Sequence, residues 1–288
     1  MKFNEKMSKQ IQTRFSSVDN KLELIQDESI RSPFRFPGSK FQAIKFVKPI
    51  WESVEHDEFR EPLVGGGAIF FFKPKVKYQW INDVDHELIT TYKIIKNSIT
   101  RKQLVKKLIV EKAIKKRHTE IKNFKPQNRL DTAFRYFYLN RTSYSGIMKL
   151  PAWGYHEKRS VHPDKWGKRI DQAAKKLEGV KITNLDYEKV IMAPAQGKSV
   201  FLFVDPPYYE ADQKRAYVHS FTEAEHIRLS KILKKTDHKF CLSYDNCKPV
   251  KKLYKSWANI NEVSWRYHTA NSNKAIRKMG NELIITNF

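Results

Sequence analysis

An apolar run that stops at two prolines constrains the fold of this chain most strongly. Residues 199–204 read Ser-Val-Phe-Leu-Phe-Val, and Asp205-Pro206-Pro207-Tyr208 follows directly. The run predicts a buried strand, which must end before the prolines because proline cannot continue a central strand. The residues that follow then face solvent or a ligand. Asp205 offers acceptors, Pro206 a free carbonyl and Tyr208 a flat ring, a set suited to holding a planar amino group.

The rest of the chain predicts alternating strands and helices. Strands are expected near residues 61–64, 78–81, 180–183, 200–205, 238–244, 259–266 and 282–287. Helices are expected near residues 41–51, 84–97, 101–122, 129–140, 163–178, 222–235 and 246–257, with Pro49 disturbing the end of the first. This alternation is typical of an α/β fold with a mainly parallel sheet covered on both faces. Only a loop separates the last two strands, which predicts an antiparallel pair.

Two regions interrupt this pattern. Residues 1–30 are polar and predict a tail or a loosely held helix. Residues 141–166 are rich in turns and aromatic side chains, which indicates an insertion.

The charge of the chain points to a polyanionic partner. The net charge is +24, and residues 101–170 hold 19 Lys and Arg against 5 Asp and Glu. More than half of the excess therefore lies in about a quarter of the chain, whereas a charge that only kept the surface soluble would be spread evenly. A concentrated basic region favours nucleic acid as the partner.

Several protein classes are not expected. No apolar stretch approaches the roughly 20 residues of a membrane span, and the N-terminus lacks the apolar core of a signal peptide. Cys241 and Cys247 are too few for a disulfide framework, which favours a reducing compartment. They also lack the companions of a zinc site.

Three further segments could serve a ligand. Pro37-Gly38-Ser39-Lys40 precedes a predicted helix, and an ordinary capped turn explains it equally well. Glu61-Pro62-Leu63-Val64-Gly65-Gly66-Gly67 places glycines between a strand and a helix, where backbone can approach a ligand closely, although a tight packing turn would also use them. Asp83 follows the next strand, where an acid can bind ribose hydroxyls, and Asp85 competes with it for that role or for capping a helix.

These segments occur in one order and spacing, and together they resemble the Dam-type (D12 class) adenine-N6 DNA methyltransferases. Within that family they resemble the group with the cofactor motifs first, target recognition in the middle and Asp-Pro-Pro-Tyr last. Residues 139–146 are similar to the family's Leu-Asn-Arg-x-x-Tyr-x-Gly segment, and residues 219–222 to the segment before the helix that follows the catalytic strand. The C-terminal pattern is matched by Ser272-Asn273, Arg277-Lys278 and Glu282-Leu283. The resemblance extends from about Phe34 to Phe288.

The resemblance implies a Rossmann-like S-adenosylmethionine-dependent methyltransferase sheet with a mostly helical target-recognition insertion. The implied domains are a tail (1–30), a catalytic domain (31–100 and 167–288) and the insertion (101–166). The implied methyl donor is S-adenosylmethionine, with no metal. The implied catalytic residues are Asp205, Pro206 and Tyr208. The implied cofactor-binding residues are Phe36, Lys40, Glu61, Gly65, Gly67, Asp83 and Asp205, and the candidates for DNA contact are Arg141, Tyr144, Lys149, Lys158 and Arg159.

The chain departs from the family at two positions and leaves several questions open. Phe36 stands where enterobacterial members usually have Trp, which keeps a stacking face but loses the indole donor. Gly66 replaces a more usual Ala. We expect a cytoplasmic enzyme, encoded by a bacterium or phage and associated with the nucleoid, that acts on duplex DNA as a monomer or weak dimer. Open alternatives are methylation of cytosine N4 or of adenine in RNA, and a catalytically silent DNA-binding protein. The presence of a companion restriction enzyme is also open.

Overall fold

A seven-stranded sheet organises the protein. The computed structural model describes residues 30–210, 218–266 and 279–288. The predicted N-terminal tail therefore lies outside the described residues, except for Ile30. The family-like residues Ser272, Asn273, Arg277 and Lys278 also lie outside them.

The strands follow a doubly wound order. They are β1 (Glu58–Glu61), β2 (Tyr78–Asn82), β3 (Lys181–Thr183), β4 (Val200–Val204), β5 (Lys239–Asp245), β6 (Asn259–Arg266) and β7 (Met279–Thr286). Their order across the sheet is β3-β2-β1-β4-β5-β7-β6. Strands β1 to β5 are parallel to one another, and β7 runs antiparallel to both β5 and β6. The predicted α/β class and the antiparallel final pair are confirmed.

Ten α-helices connect or cover the strands in the described part of the chain. They are α1 (Ile44–Glu52), α2 (Ala68–Phe72), α3 (His86–Lys96), α4 (Ser98–Ile109), α5 (Lys115–Asn123), α6 (Arg129–Thr142), α7 (Trp166–Leu177), α8 (Tyr187–Ile191), α9 (Glu223–Lys235) and α10 (Lys248–Tyr254). Short 3₁₀ turns occupy Tyr144–Gly146 and Pro163–Lys165. Helix α3 packs against α6 and α7, which carries the basic middle region onto the β2–β3 side of the fold.

The apolar run at residues 200–204 forms β4, and both of its faces are buried. Leu202 on one face joins a core that includes Leu233 of α9 and Tyr254 of α10. Phe201 on the other face stacks near Phe59 of β1. The strand ends at Val204, as the following prolines predict.

The first strand lies earlier in the chain than predicted. The prediction near residues 61–64 is wrong because β1 covers Glu58–Glu61. The strand was not recognised in the sequence because it contains charged residues. In the structure, Arg60 is fully buried and its Nε lies 2.7 Å from Glu58 Oε1. Arg60 also donates to three backbone carbonyls, which belong to Val190, Ala193 and Pro194. These four hydrogen bonds make a buried guanidinium tolerable inside the sheet.

Two helix predictions also need correction. The single helix expected over residues 101–122 is wrong, because the chain forms α4 and α5 with a break between them. At the break, the Tyr138 hydroxyl donates to the Lys112 carbonyl at 2.6 Å, so a tertiary contact replaces a helical one. Pro49, expected to disturb the end of the first helix, lies inside α1, which continues to Glu52.

The topology brings two distant segments to one edge. Strands β1 and β4 are adjacent, yet β2 and β3 lie on one side of them and β5 on the other. Their carboxyl ends, Glu61 and Val204, therefore meet where the winding of the sheet reverses. In open α/β sheets, ligands bind in the crevice at this point. No helix within residues 30–210, 218–266 and 279–288 is long and apolar enough to span a bilayer.

Candidate active site

Asp205 and Lys40 form the centre of the site. Asp205 follows β4 directly, and its Oδ1 lies 3.0 Å from Nζ of Lys40. Lys40 is 5% exposed and Asp205 26%, so the pair borders an opening while the ammonium itself is enclosed. The same Nζ donates to the Gly38 carbonyl at 2.8 Å and lies 4.5 Å from the centre of the Tyr208 ring. One cation therefore contacts both the carboxylate and the aromatic face of the Asp-Pro-Pro-Tyr segment.

The surroundings of Asp205 raise the pKa of its carboxyl towards neutral pH. The pKa of its carboxyl is raised to about 6, mainly by burial and to a smaller extent by the charge of Glu282. Lys40 opposes both effects, through its charge and its contact with the carboxylate. Above this pKa the group is an anion that accepts hydrogen bonds.

The Tyr208 side chain is fixed from behind by two polar side chains. Its hydroxyl donates to Oε2 of Glu282 and lies 3.1 Å from Oγ of Ser243. Sequence reasoning missed both partners as site residues. Glu282 lay within a recognised C-terminal motif, whereas nothing in the sequence marked Ser243.

The glycine turn after β1 is shaped by the aromatic ring of Phe36. Gly65 and Gly67 have positive φ of 46° and 64°. A Cβ on Gly65 would lie 2.9 Å from the Phe36 ring, and one on Gly66 2.8 Å from Cβ of Phe36. Positive φ therefore favours glycine at positions 65 and 67, and a Cβ at 65 or 66 would require the Phe36 side chain to shift. Tyr92 of α3 supports it by donating to the Gly65 carbonyl at 2.9 Å.

The two candidate acids after β2 take different positions. Asp83 Oδ2 accepts a hydrogen bond from the Gly65 amide at 2.8 Å, which ties it to the glycine turn. Asp85 caps α3 by accepting from the amides of Glu87 and Leu88. Burial raises the pKa of Asp83 to about 6. The geometry thus gives Asp85 a capping role and leaves Asp83 beside the turn.

Glu61 ends β1 and faces the start of α2. It is 2% exposed, and its Oε1 accepts from the Phe70 amide at 2.9 Å. Burial raises its pKa well above the usual range. Glu61 therefore joins the strand end to the first turn of the helix.

These groups surround one cleft that opens to solvent. It is lined by residues 36–40, Glu61, residues 63–69, Phe203 and Asp205. The predicted residues Phe36, Lys40, Glu61, Gly65, Gly67 and Asp205 all line it. Asp83 is connected to the cleft wall by the hydrogen bond that it accepts from the Gly65 amide.

The segment that carries Phe36 and Lys40 is anchored by a residue that sequence reasoning missed. Asn140 of α6 is fully buried; it accepts from the Arg35 amide at 2.8 Å and donates to the Arg35 carbonyl at 2.7 Å. Gly146 approaches so closely that a Cβ there would lie 2.4 Å from the Arg35 carbonyl oxygen. The Leu-Asn-Arg segment carried this signal, because it supplies Asn140.

The candidate DNA-contacting residues differ in exposure. Lys149, Lys158 and Arg159 are exposed, and Tyr144 is half-buried. Tyr144 belongs to a hairpin closed by its amide, which donates to the Ala152 carbonyl at 2.8 Å. Arg141 is only 4% exposed, and burial followed by repulsion from neighbouring arginines lowers its pKa to about 9. Lys149, Lys158 and Arg159 therefore lie on the surface, whereas Arg141 is enclosed by the protein.

Comparison with known families decides the identity. A model of the D12 class N6 adenine-specific DNA methyltransferases matches residues 36–269, which covers most of the chain. The chain belongs to this family. The match spans the cleft, the basic middle region and the Asp-Pro-Pro-Tyr segment, so the protein is an adenine-N6-specific DNA methyltransferase. Its family membership implies S-adenosylmethionine as methyl donor and DNA as substrate.

Three similar proteins are each named as a type II methyltransferase. The methyltransferase is 26% identical over 294 residues to the type II methyltransferase M1.LlaDCHI of Lactococcus lactis subsp. cremoris, covering 93% of this chain and 99% of the relative. It is 25% identical over 245 residues to the type II methyltransferase M.CviBI of Paramecium bursaria Chlorella virus NC1A, covering 80% and 89%. It is 26% identical over 264 residues to the type II methyltransferase M.MjaIII of Methanocaldococcus jannaschii, covering 80% and 88%.

Proposed function

We propose that Asp205, Pro206 and Tyr208 hold a flipped-out adenine at the mouth of the cleft, and that the cleft holds S-adenosylmethionine. The position of Asp205 carries this proposal, because it joins the cleft wall to the Tyr208 segment at the switch point of the sheet. Adenine N6 is enclosed in a duplex, so the base must leave the stack to reach the carboxylate.

The residues of the cleft suit this cofactor. The close-packed glycines let backbone approach the methionine part, and the Phe36 ring beside them offers a stacking face. Asp83 is the proposed partner of the ribose hydroxyls, since its oxygens can each accept a second hydrogen bond. Lys40 and Glu61 complete the wall. When bound, S-adenosylmethionine supplies an electrophilic methyl group on a sulfonium centre.

The catalytic segment acts mainly by positioning. Tyr208 stacks on the base, while Asp205 and the Pro206 carbonyl accept the two N6 hydrogens. These contacts would turn the N6 lone pair towards the cleft, where bound S-adenosylmethionine would offer its methyl group to the nitrogen. The proton leaves N6 after transfer, when the nitrogen is cationic and acidic, so Asp205 need not be a strong base. Positioning of this kind can contribute up to roughly 7–11 kcal/mol.

Lys40 prepares the carboxylate before the base arrives. Its ammonium contacts the same carboxylate and ring that we assign to adenine. We infer that the entering amino group displaces it from Asp205 and that it then remains in the cleft wall. Until that moment, its charge favours the ionised form of Asp205.

The basic middle region supplies the DNA contacts in this proposal. We assign residues 101–166 to target recognition, between catalytic parts at 31–100 and 167–288. The exposed Lys149, Lys158 and Arg159 contact phosphates, which gives salt-sensitive affinity. Tyr144 fills space near the displaced base, whereas the enclosed Arg141 donates to the Pro33 carbonyl at 3.5 Å.

The cellular setting extends this proposal. The type II relatives favour a role in a restriction-modification system, with a companion endonuclease that the methylation protects against. We propose that the enzyme works in the cytoplasm on nucleoid or phage DNA, as a monomer or weak dimer.

A labelling assay tests the proposed site. The wild type and Asp205→Ala are incubated with methyl-labelled S-adenosylmethionine and duplex DNA of mixed sequence, and the product nucleosides are separated. We expect label in N6-methyladenine with the wild type, and none with Asp205→Ala although DNA binding is retained. Label in N4-methylcytosine would reassign the base, and label in an RNA pool but not in DNA would reassign the polymer. Full turnover by Asp205→Ala would remove its assigned role.

A further inference from the structure

Glu282 lies directly behind the aromatic residue of the catalytic segment. It is 1% exposed, and its Oε2 accepts from the Tyr208 hydroxyl. The Ser243 hydroxyl donates to the same oxygen at 3.2 Å and lies 3.1 Å from the phenol oxygen. A buried carboxyl group is costly unless it is hydrogen-bonded, and here one of the donors is the phenol of Tyr208.

The strand register gives Glu282 a partner in holding the segment. Glu282 of β7 is paired with Asp245 of β5, and directly opposed residues project from the same face of a sheet. Asp245 accepts the backbone amides of Tyr209 at 3.0 Å and Glu210 at 2.7 Å. One cross-strand pair thus fixes the phenol of Tyr208 and the backbone that follows it.

We propose that Glu282 is a positioning residue for methyl transfer, which acts through the Tyr208 hydroxyl to fix the ring and make its face electron-rich. A phenol that donates to a carboxylate gains electron density in its ring. The ring face already attracts a cation, since Lys40 Nζ lies 4.5 Å from its centre. Adenine becomes positively charged as its N6 gains the methyl group, so an electron-rich face stabilises the transition state more than the ground state. This inference rests on the role proposed for Tyr208.

A double-mutant cycle tests the inference. Glu282→Gln keeps the size of the side chain and an acceptor but removes the charge, and Tyr208→Phe keeps the ring but removes the donor. Both variants, the double variant and the wild type are compared by the single-turnover rate of methyl transfer, with enzyme in excess over a duplex that the wild type methylates. Calorimetric binding of S-adenosylmethionine and melting temperature are measured beside the rate. Glu262→Gln, an exposed acid on the neighbouring strand β6, is the matched control.

We expect Glu282→Gln to lower the single-turnover rate by at least roughly tenfold, as loss of a charge-assisted hydrogen bond predicts. Cofactor affinity should stay within about twofold, because Glu282 acts on the transition state through Tyr208. In the Tyr208→Phe background the same substitution should have little further effect, since neighbours in one network are not additive. The Glu262→Gln rate should equal that of the wild type.

Two results would overturn the inference. One is an unchanged rate in Glu282→Gln, and the other is an equal loss of rate with and without the Tyr208 hydroxyl. If Glu282→Gln does not fold, Tyr208→Phe alone decides, because a wild-type rate there removes the proposed route. Failure of the proposed function has a different signature, namely adenine methylation by Asp205→Ala.

Discussion

Nζ of Lys40 lies 3.0 Å from Oδ1 of Asp205, although the whole basic middle region separates the two residues in sequence. Lys40 belongs to the turn before α1, and Asp205 follows β4. Sequence reasoning placed the lysine in the cofactor site and the aspartate where donor and target meet. The ion pair joins these two places, so the protonation state of Asp205 depends on Lys40, a residue that lines the cleft.

Removal of Lys40 should shift the pH dependence of the enzyme to higher pH. The pKa of Asp205 is raised to about 6 by burial and held down by Lys40, so its active anionic form is lost as pH falls through this value. Without the cation the pKa of Asp205 rises further, because an adjacent positive charge that favours the anion is lost. The acidic limb of kcat/KM against pH in Lys40→Gln should therefore move upward, because kcat/KM reports groups of the free enzyme.

The matched control for this prediction is Lys48→Gln. Lys48 is close to Lys40 in sequence, but it lies within α1 and pairs with Glu52 on the surface. Its pH profile should coincide with that of the wild type. An acidic limb that stays in place, or moves to lower pH, in Lys40→Gln would show that the lysine does not control Asp205.

Gly146→Ala should destabilise the protein more than Gly179→Ala. Both glycines have positive φ, of 73° and 72°. At Gly179 an added Cβ meets no atom of the described residues within 4 Å, so conformational strain dominates, about 1 kcal/mol. At Gly146 the Cβ would lie 2.4 Å from the Arg35 carbonyl oxygen, and the total cost should reach about 3 kcal/mol or more. Urea unfolding measures both, and equal losses of stability would argue against the close approach.

The surface cations of the middle region should control the salt dependence of DNA binding. Lys158→Ala and Arg159→Ala should each reduce the slope of log affinity against log salt by about 1, as loss of one phosphate contact predicts. Lys234→Ala, an exposed lysine of α9, serves as the control with an unchanged slope. Binding is measured by fluorescence anisotropy on duplex DNA at several salt concentrations. Slopes that respond equally to all three substitutions would indicate a diffuse charge effect.

Elements with strong local signals could be predicted from the sequence. The strand β4 is a pure apolar run stopped by prolines, and its place and end follow from that pattern. The strand β1 could not be placed, because its buried charges pair with each other and with distant carbonyls. The break between α4 and α5 was equally hidden, since it depends on a contact from Tyr138 of α6.

The same division applies to the site. Phe36, Gly65 and Asp205 belong to compact motifs that the sequence made visible, and all three line one cleft. Ser243 and Asn140 were missed as site residues, because their positions depend on strand pairing and helix packing between segments far apart in sequence. Local chemistry is visible in a sequence, whereas the groups that hold it in place become visible only in the fold.

Methylation of host DNA tests the central claim most directly. The wild type and Asp205→Ala are expressed at equal levels in a host that lacks adenine methylation, and the genomic DNA is sequenced with detection of modified bases. We predict N6-methyladenine at one recurring sequence with the wild type, and none above background with Asp205→Ala. Unmodified adenine in both cultures, or equal methylation in both, would contradict the account.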